Sequence, residues 1–536
     1  MLQATPIRLH PFRLARLLPA ALILIVCSSV ASAQAIDPSR GVDARVDYRA
    51  LTEIGPWDDR NYQLTQDDLA LLSDNESELR QAIPAFYRVQ LRKQIPNLLT
   101  EGPVQYPHSA MPHFYLEHGG YLIDGQYYRG VERRDNKFHV LRERGVEADS
   151  GAEAVAKFLE GEVRVTNPNA AAESSININP VNPDLVIAGS NGPGGGQRQH
   201  WSNDGGETWT QVDLPMGGTC CDPTQGWSSD GTKAYAATLA GNFTGNWFYR
   251  SADGGQTWED LATIDGDPRR EIGGSGADKE FLHVDLSPTS PHLDNIYLTW
   301  HESNILRFSR STDMGHTWSA PIAFDSTGDQ RGIGSDITTD AAGNIYYFWA
   351  AFNSRKIWVR KSTNGGMTFD PSVEVASTEA SFNFFIPSQD IRGGAIICSA
   401  DTDRSSGTFA GSVYAAWADL APVSGNHARV QVAYSRDGGD TWTVTTPHEV
   451  ADVNEVDRWQ PWLAVAPDGS VHVIFNDTRN DPTRRSIDLY HNFSTDGGQT
   501  WGTPQRLTSE TSPHLEDGFQ FGDYSGLDIV MDQAIA

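Results

Sequence analysis

The chain has 536 residues, with 69 Asp and Glu against 41 Lys and Arg, a formal net charge of −28. That charge argues against nucleic acid as a partner, because phosphate recognition needs a Lys/Arg surplus, and against a polybasic membrane-surface mode. A hydrophobic fraction of 39% suits a globular chain, while 50 glycines, 29 prolines and 15 tryptophans point to short strands joined by many turns.

Residues 1–33 read as a secretory signal. Arg8, Arg13 and Arg16 make a basic start, Leu17 to Val30 is an apolar run, and Ala31-Ser32-Ala33 is an A-x-A cleavage site. A membrane anchor is the alternative, but the run is shorter than the roughly 20 residues a span needs. Cleavage removes three arginines and no acid, taking the net charge from −28 to −31. No second apolar run approaches transmembrane length. The mature chain is therefore expected to be secreted or periplasmic, without a membrane span, and a monomer.

Residues 34–165 form an expected α+β lead-in. Thr65 has the character of an N-cap, with Asp67 and Asp68 in the first turn. Apolar periodicity continues through Leu69, Leu72, Leu79 and Ile83 until Pro84 breaks it, and a second helical piece runs to about Leu99. Tyr121 to Tyr128 predicts a hairpin around Asp124-Gly125, with Lys137 to Leu141 as a third strand and a short helix over Ala152 to Leu159. A cleaved pro-segment is the alternative. His108, His113 and His118 suit neither one helical face nor a zinc motif and are read as structural.

Residues 166–536 are organised by a repeat. An octapeptide of the form S-x-D-x-G-x-T-W begins at Ser202, Ser251, Ser311, Ser362, Ser435 and Ser494, at intervals of 49, 60, 51, 73 and 59 residues. Its glycines supply positive φ for a tight reversal, and its Ser and Asp side chains can bond nearby backbone N–H groups. The fourth copy departs, with Asn364 and Phe369 for Asp and Trp, yet its turn is expected to survive. A β-rich stretch precedes each octapeptide, and another lies further upstream, as in Ile345 to Trp349. Each unit is thus four short strands with the octapeptide between the third and fourth, and such units repeated radially make a β-propeller.

These octapeptides resemble the Asp-box, or BNR, repeat of the sialidase superfamily over about residues 170 to 536. The resemblance implies an all-β, six- to seven-bladed propeller. The C-terminal Phe521 to Val530 is similar to an innermost strand, yet the chain stops at Ala536. It is expected to join blade 1, or to be completed into a seventh blade by strands from residues 119–142, which would leave no open edge.

In a propeller, one face collects the loops leading into the first strands and those between second and third strands. Here the former carry Cys221-Asp222, Asp278-Lys279-Glu280, Arg331, Arg392, Asp457-Arg458 and Asp523-Tyr524. The latter carry Glu302, Arg355, Asp419, Asp477 and Arg479. Paired carboxylates can work on glycosidic bonds, and arginines fit carboxylates bidentately. These charges can equally pair with one another and solvate the loops.

The resemblance implies more specific roles. Tyr524-Ser525-Gly526-Leu527 is similar to the context of the sialidase nucleophile, so Tyr524 is the candidate nucleophile, Glu455 or Glu280 its helper, and Asp278 the acid. Arg331, Arg458 and Arg479 are candidates for an arginine triad that holds a sugar carboxylate, with Asp477 and Glu302 as further substrate contacts. The Arg-Ile-Pro motif of the family is absent, since Phe385-Ile-Pro387 lacks the arginine. The expected function is a glycoside hydrolase acting on acidic glycans. The alternatives are a non-catalytic propeller binding glycan or protein, and a polysaccharide lyase. No cofactor or metal is expected, because Asp401-Thr-Asp403 lacks the glycine and distal Glu of a calcium loop. Cys220 and Cys221 can form a ring disulfide, and Cys398 is too far along the propeller to bridge either.

Overall fold

The structure, a computed structural model, describes residues 162–536 apart from short loop segments, together with three strands between 121 and 142. The signal segment, the helices expected over 65–99 and 152–159, and the three lead-in histidines lie outside the described residues. Among those residues the only helical turn is the 3₁₀ turn Pro387–Gln389. The hairpin around 124–125 is present as Tyr121–Ile123, Gln126–Arg134 and Lys137–Arg142, which form a sheet of their own.

Six antiparallel four-stranded sheets follow as six blades. Their innermost strands are Ala172–Ile178, Thr224–Trp227, Ala277–Val284, Gly332–Thr339, Ser399–Thr402 and Arg458–Val465. The second strands read as near-continuous apolar runs, because both faces are covered by neighbouring blades. Ile345–Ala351 and Val413–Leu420, for example, are buried at every position.

Polar side chains stitch each innermost strand to the next. Thr224 Oγ1 accepts from Leu282 N at 2.9 Å, Asp336 Oδ2 from Ala400 N at 2.7 Å, and Asp401 Oδ2 from Val465 N at 2.9 Å. The last stitch closes the ring: Asp528 Oδ2 accepts from Ile178 N at 2.7 Å. The C-terminal segment therefore sits between blades 6 and 1. It neither joins blade 1 nor pairs with 121–142. Instead Asp528–Val530 pairs with the chain's own last strand, Gln533–Ile535. Residues 162–166 pack beside it, with Val163 and Val165 against Ile178, Val186 and Ile535, and with Glu162 bonded to Ser509. Segments from both sides of the propeller thus close it, but the N-terminal contribution is 162–166, downstream of the strands expected to supply it.

The octapeptide turns share one hydrogen-bond pattern. In the first, Ser202 Oγ donates to Asp204 Oδ1 (2.7 Å), Gly206 N donates to Ser202 Oγ (2.9 Å), and Thr208 N and Oγ1 donate to the Asp204 carboxylate. The fourth keeps the pattern with Asn364, except that Asn364 Nδ2 donates to Thr368 Oγ1, and Phe369 packs edge-on against Phe308. The first glycine needs a left-handed backbone, which Met314 supplies in the third copy at φ 58°, and in later copies it is crowded too, a Cβ on Gly365 standing 2.7 Å from His292. The second also lies against the preceding blade. A Cβ on Gly315 would stand 2.1 Å from Phe248, and one on Gly366 2.5 Å from Phe308. All six copies accordingly keep this glycine.

The stitches give a pH prediction. Burial pushes the Asp336 carboxyl up to about 7, against the pull of its bonds from Ala400 N and Ile337 N, with the charge of Asp401 adding to the rise. Its ordinary value is 3.8. The folded chain therefore binds more protons than the unfolded one between these values, and this group's contribution to stability falls as pH rises from about 4 to about 7. Asp336→Asn can keep the bond from Ala400 without a buried charge. It is expected to raise Tm by about 2–4 °C at pH 8 and to change it little at pH 4.5. Calorimetry at the two pH values checks this, and an equal shift at both would count against a titrating Asp336.

Candidate functional site

At one mouth of the ring the innermost strands begin with a repeated irregularity. Pairing with the second strand shifts between Ala172 and Ser175, Asp278 and Phe281, Ile333 and Asp336, and Trp459 and Trp462. Inside these bulges Glu173, Lys279 and Gln460 adopt positive φ, as does Asp222 just before its strand. A left-handed backbone is costly for such residues, and bulges re-aim side chains, often beside functional sites. Here they gather charge inward.

Lys279 is the centre of the cluster. Its Nζ lies 2.6 Å from Asp523, 3.3 Å from Asp222 and 3.4 Å from Glu173, with Asp278 and Glu280 flanking it in sequence. None of these six residues is more than 8% exposed, so the charges are sealed from bulk water. Burial works against the ammonium, but Asp222, Asp523 and Glu173 outweigh it and hold the lysine protonated well above its usual range. Asn191 supports the site, accepting from Asp222 N at 2.8 Å and donating to Glu173. Cys220 and Cys221, joined as a disulfide, form the segment just before Asp222, with Cys221 O accepting from Leu239 N and Thr238 Oγ1.

Tyr524 lies against this cluster, with the Lys279 ammonium 5.3 Å from its ring centroid. Its ring packs with Phe281 (5.5 Å) and Trp462 (6.1 Å) across the axis, and its hydroxyl donates to Pro223 O at 3.5 Å. Burial, then the charges of Asp222, Glu173, Glu280 and Asp523, raise its pKa well above the usual phenol value. Tyr524 is therefore a neutral phenol at rest.

The proposed arginines are arranged differently. Arg458 Nε and Arg479 Nη2 both bond Asp477 Oδ2, at 2.8 and 2.6 Å, and both approach Glu449. Arg331 is exposed on blade 4. The expected triad is thus not assembled around one open point: two of its members close on a shared carboxylate, because Asp477 stands between them on the second strand. Glu302 is likewise occupied, accepting from Trp300 Nε1 and Gly274 N and pairing with Arg307 at 3.0 Å. Asp457 pairs with Arg484, Asp419 accepts from Glu379 N and Ala380 N, and Arg355 donates to Glu379 O. Glu455 and Arg392 lie outside the described residues.

Two cavities meet at Tyr524. One, of about 250 Å³, lies along the axis among the innermost strands and includes His283, Asp336, Asp401 and Arg404. The other, of about 150 Å³, lies between blades 6 and 1 and reaches Glu173, His200, Gln460, Asn476 and Phe521. Sequence reading missed Glu173 and His200. Glu173 occupies the bulge position that Lys279 occupies in blade 3, and only a register alignment of the innermost strands would have found it. Among the described residues no helix is long and apolar enough to cross a membrane, and no group of three or more His, Cys, Asp or Glu is placed to hold a metal.

A family model described as a domain of unknown function (DUF8300) matches residues 47–132, ahead of the propeller. No curated protein matches the chain. Solved structures similar to it include the NanB sialidase of Streptococcus pneumoniae, at 11% identity and TM-score 0.39, covering 57% of this chain and 65% of that one. The chain thus spans about two thirds of the NanB structure. Others are the BP39L lectin of Burkholderia pseudomallei, at 11% identity and TM-score 0.39 over 63% and 99% of the two chains, and an α-L-arabinofuranosidase of Fusarium graminearum, at 10% and 0.38 over 60% and 92%.

Proposed function

We propose that the protein is an exported carbohydrate-active propeller, and specifically a glycoside hydrolase whose reacting groups lie at Tyr524. The observation that carries this reading is the concentration of Glu173, Asp222, Glu280 and Asp523 around one buried phenol at the mouth of the ring. In the proposed step Tyr524 Oη attacks the anomeric carbon while Glu280 takes its proton. The glycosidic C–O bond breaks, and Asp278 protonates the departing oxygen. Water then cleaves the glycosyl–tyrosine bond with the same groups reversed. The site holds five carboxylates against one ammonium, and Arg458 and Arg479 are already neutralised by Asp477 and Glu449. Its charge therefore favours a neutral sugar over the acidic one that the arginines suggested.

The test is turnover on a panel of fluorogenic neutral glycosides, sialosides and acidic glycans. Tyr524→Phe is expected to lower the rate at least about 100-fold with the melting curve preserved. A second reading, a propeller that binds glycan without cleaving it, draws support from the sealing of the cluster from solvent. Glycan binding without turnover on any substrate would establish that reading in place of the first.

A further inference from the structure

We propose that the cavity between blades 6 and 1 is a binding site for one neutral, hydroxyl-bearing ring, a single sugar residue without a carboxylate. The argument begins with His200, which lines this cavity and is 1% exposed. Its Nε2 lies 3.2 Å from Ser190 Oγ, and Ser190 Oγ also bonds Gly192 O at 2.9 Å. A hydroxyl has one hydrogen, and a carbonyl oxygen can only accept, so the Ser190 hydrogen goes to Gly192. His200 Nε2 must then be the donor to Ser190. Burial, with the nearby Arg198 charge, lowers the His200 pKa to about 4, so the imidazole is neutral and its Nδ1 carries a bare lone pair. Among the described residues nothing donates to that Nδ1. A buried acceptor left without a donor is costly, and a ligand O–H would relieve it.

The rest of the cavity narrows the ligand. Its volume of about 150 Å³ is the size that holds one six-membered ring. Ile474, Ile487, Leu489 and Phe521 supply apolar wall, while Ser190, Gln460 and Asn476 supply polar groups. That mixture suits a sugar, which has one C–H face and a rim of hydroxyls. Among the described residues Glu173 is the only charged side chain in the lining, and the Lys279 ammonium already stands 3.4 Å from it. Among the described residues no cationic side chain lines the cavity, so a carboxylate would find no cationic partner from them.

The choice of a sugar among hydroxylated rings rests on the carbohydrate reading above, but the site does not require turnover. Binding is therefore measured on Tyr524→Phe, by calorimetry and saturation-transfer NMR, with the matched pairs galactose and galacturonic acid, and glucose and glucuronic acid. At least one neutral sugar is expected to bind about tenfold or more tighter than its acid. His200→Leu, which removes the acceptor, is expected to weaken that binding about tenfold. A crystal of Tyr524→Phe soaked in the sugar should show a hydroxyl beside His200 Nδ1, which tests the site even if His200→Leu does not fold. The proposal is overturned if no neutral sugar binds, if the acids bind equally well, if His200→Leu leaves binding unchanged, or if the soaked sugar lies elsewhere. Turnover by the unchanged protein with no cavity binding would remove this inference and leave the hydrolase reading standing; binding without turnover would do the reverse.

Discussion

Lys279→Met is expected to destabilise the protein by about 3–5 kcal/mol, the usual cost of leaving a buried charge without its partner. Here one ammonium holds Asp523, Asp222 and Glu173 within 3.4 Å, all in the closed mouth of the ring. Methionine fills much of the same volume, so the loss should be mainly electrostatic. This carries a sign that a packing defect would not. Without the ammonium the three carboxylates repel one another and take up protons more readily in the fold than in the unfolded chain. The variant should therefore recover stability relative to the parent as pH falls from 7 towards 4. Adding Asp222→Asn to Lys279→Met should restore part of the loss at pH 7. Urea unfolding at several pH values measures all three effects, and a pH-independent deficit would show that packing, not charge, is what Lys279 supplies.

Removal of residues 521–536 is expected to abolish cooperative folding. The segment supplies the Asp528 bond to Ile178, the Asp523 carboxylate nearest to Lys279, the Tyr524 ring packed on Phe281 and Trp462, and the buried Leu527 and Ile535. Fully burying each such apolar side chain contributes about 1.5–3 kcal/mol, so with the lost Asp528 bond and Asp523 ion pair the total is comparable with the margin by which a domain is stable. It also leaves the innermost strands of blades 6 and 1 as open edges. The truncated chain should lack a sharp melting transition in calorimetry. A truncated chain that still melted sharply would show that blades 6 and 1 can close on each other directly. The milder Asp528→Ala leaves Ile178 N without its acceptor and should cost about 1–3 kcal/mol.

How far the sequence could be read depended on whether the physics was local. The octapeptides were legible because Ser, Asp and Gly set their own turn within eight residues, and their spacing then gave the blades. Asp222, Asp278, Glu280, Asp523 and Tyr524 were legible as residues leading into innermost strands. Lys279 was visible beside them, but its central place was not. A bulge turns it inward, and a one-residue shift that reverses a side chain's face leaves no periodic trace. Glu173 was missed for the same reason. The arginines were read by position alone, and position could not reveal that Arg458 and Arg479 both face Asp477. Closure was expected from both sides of the propeller, but nothing in residues 162–166 marked them as the segment that packs beside the last strand.

The second glycine of each octapeptide gives the molecule a direction. Gly315 and Gly366 lie flush against Phe248 and Phe308, aromatic residues of the blade made just before. During synthesis each new blade thus emerges after the surface that receives it has formed, in keeping with folding from the N-terminal side. Asp528 and Ile535, which close the ring, are made after all six blades. A chain stalled before residue 521 is then an open row of blades with two exposed ends, and it can become a closed ring only when residues 521–536 arrive.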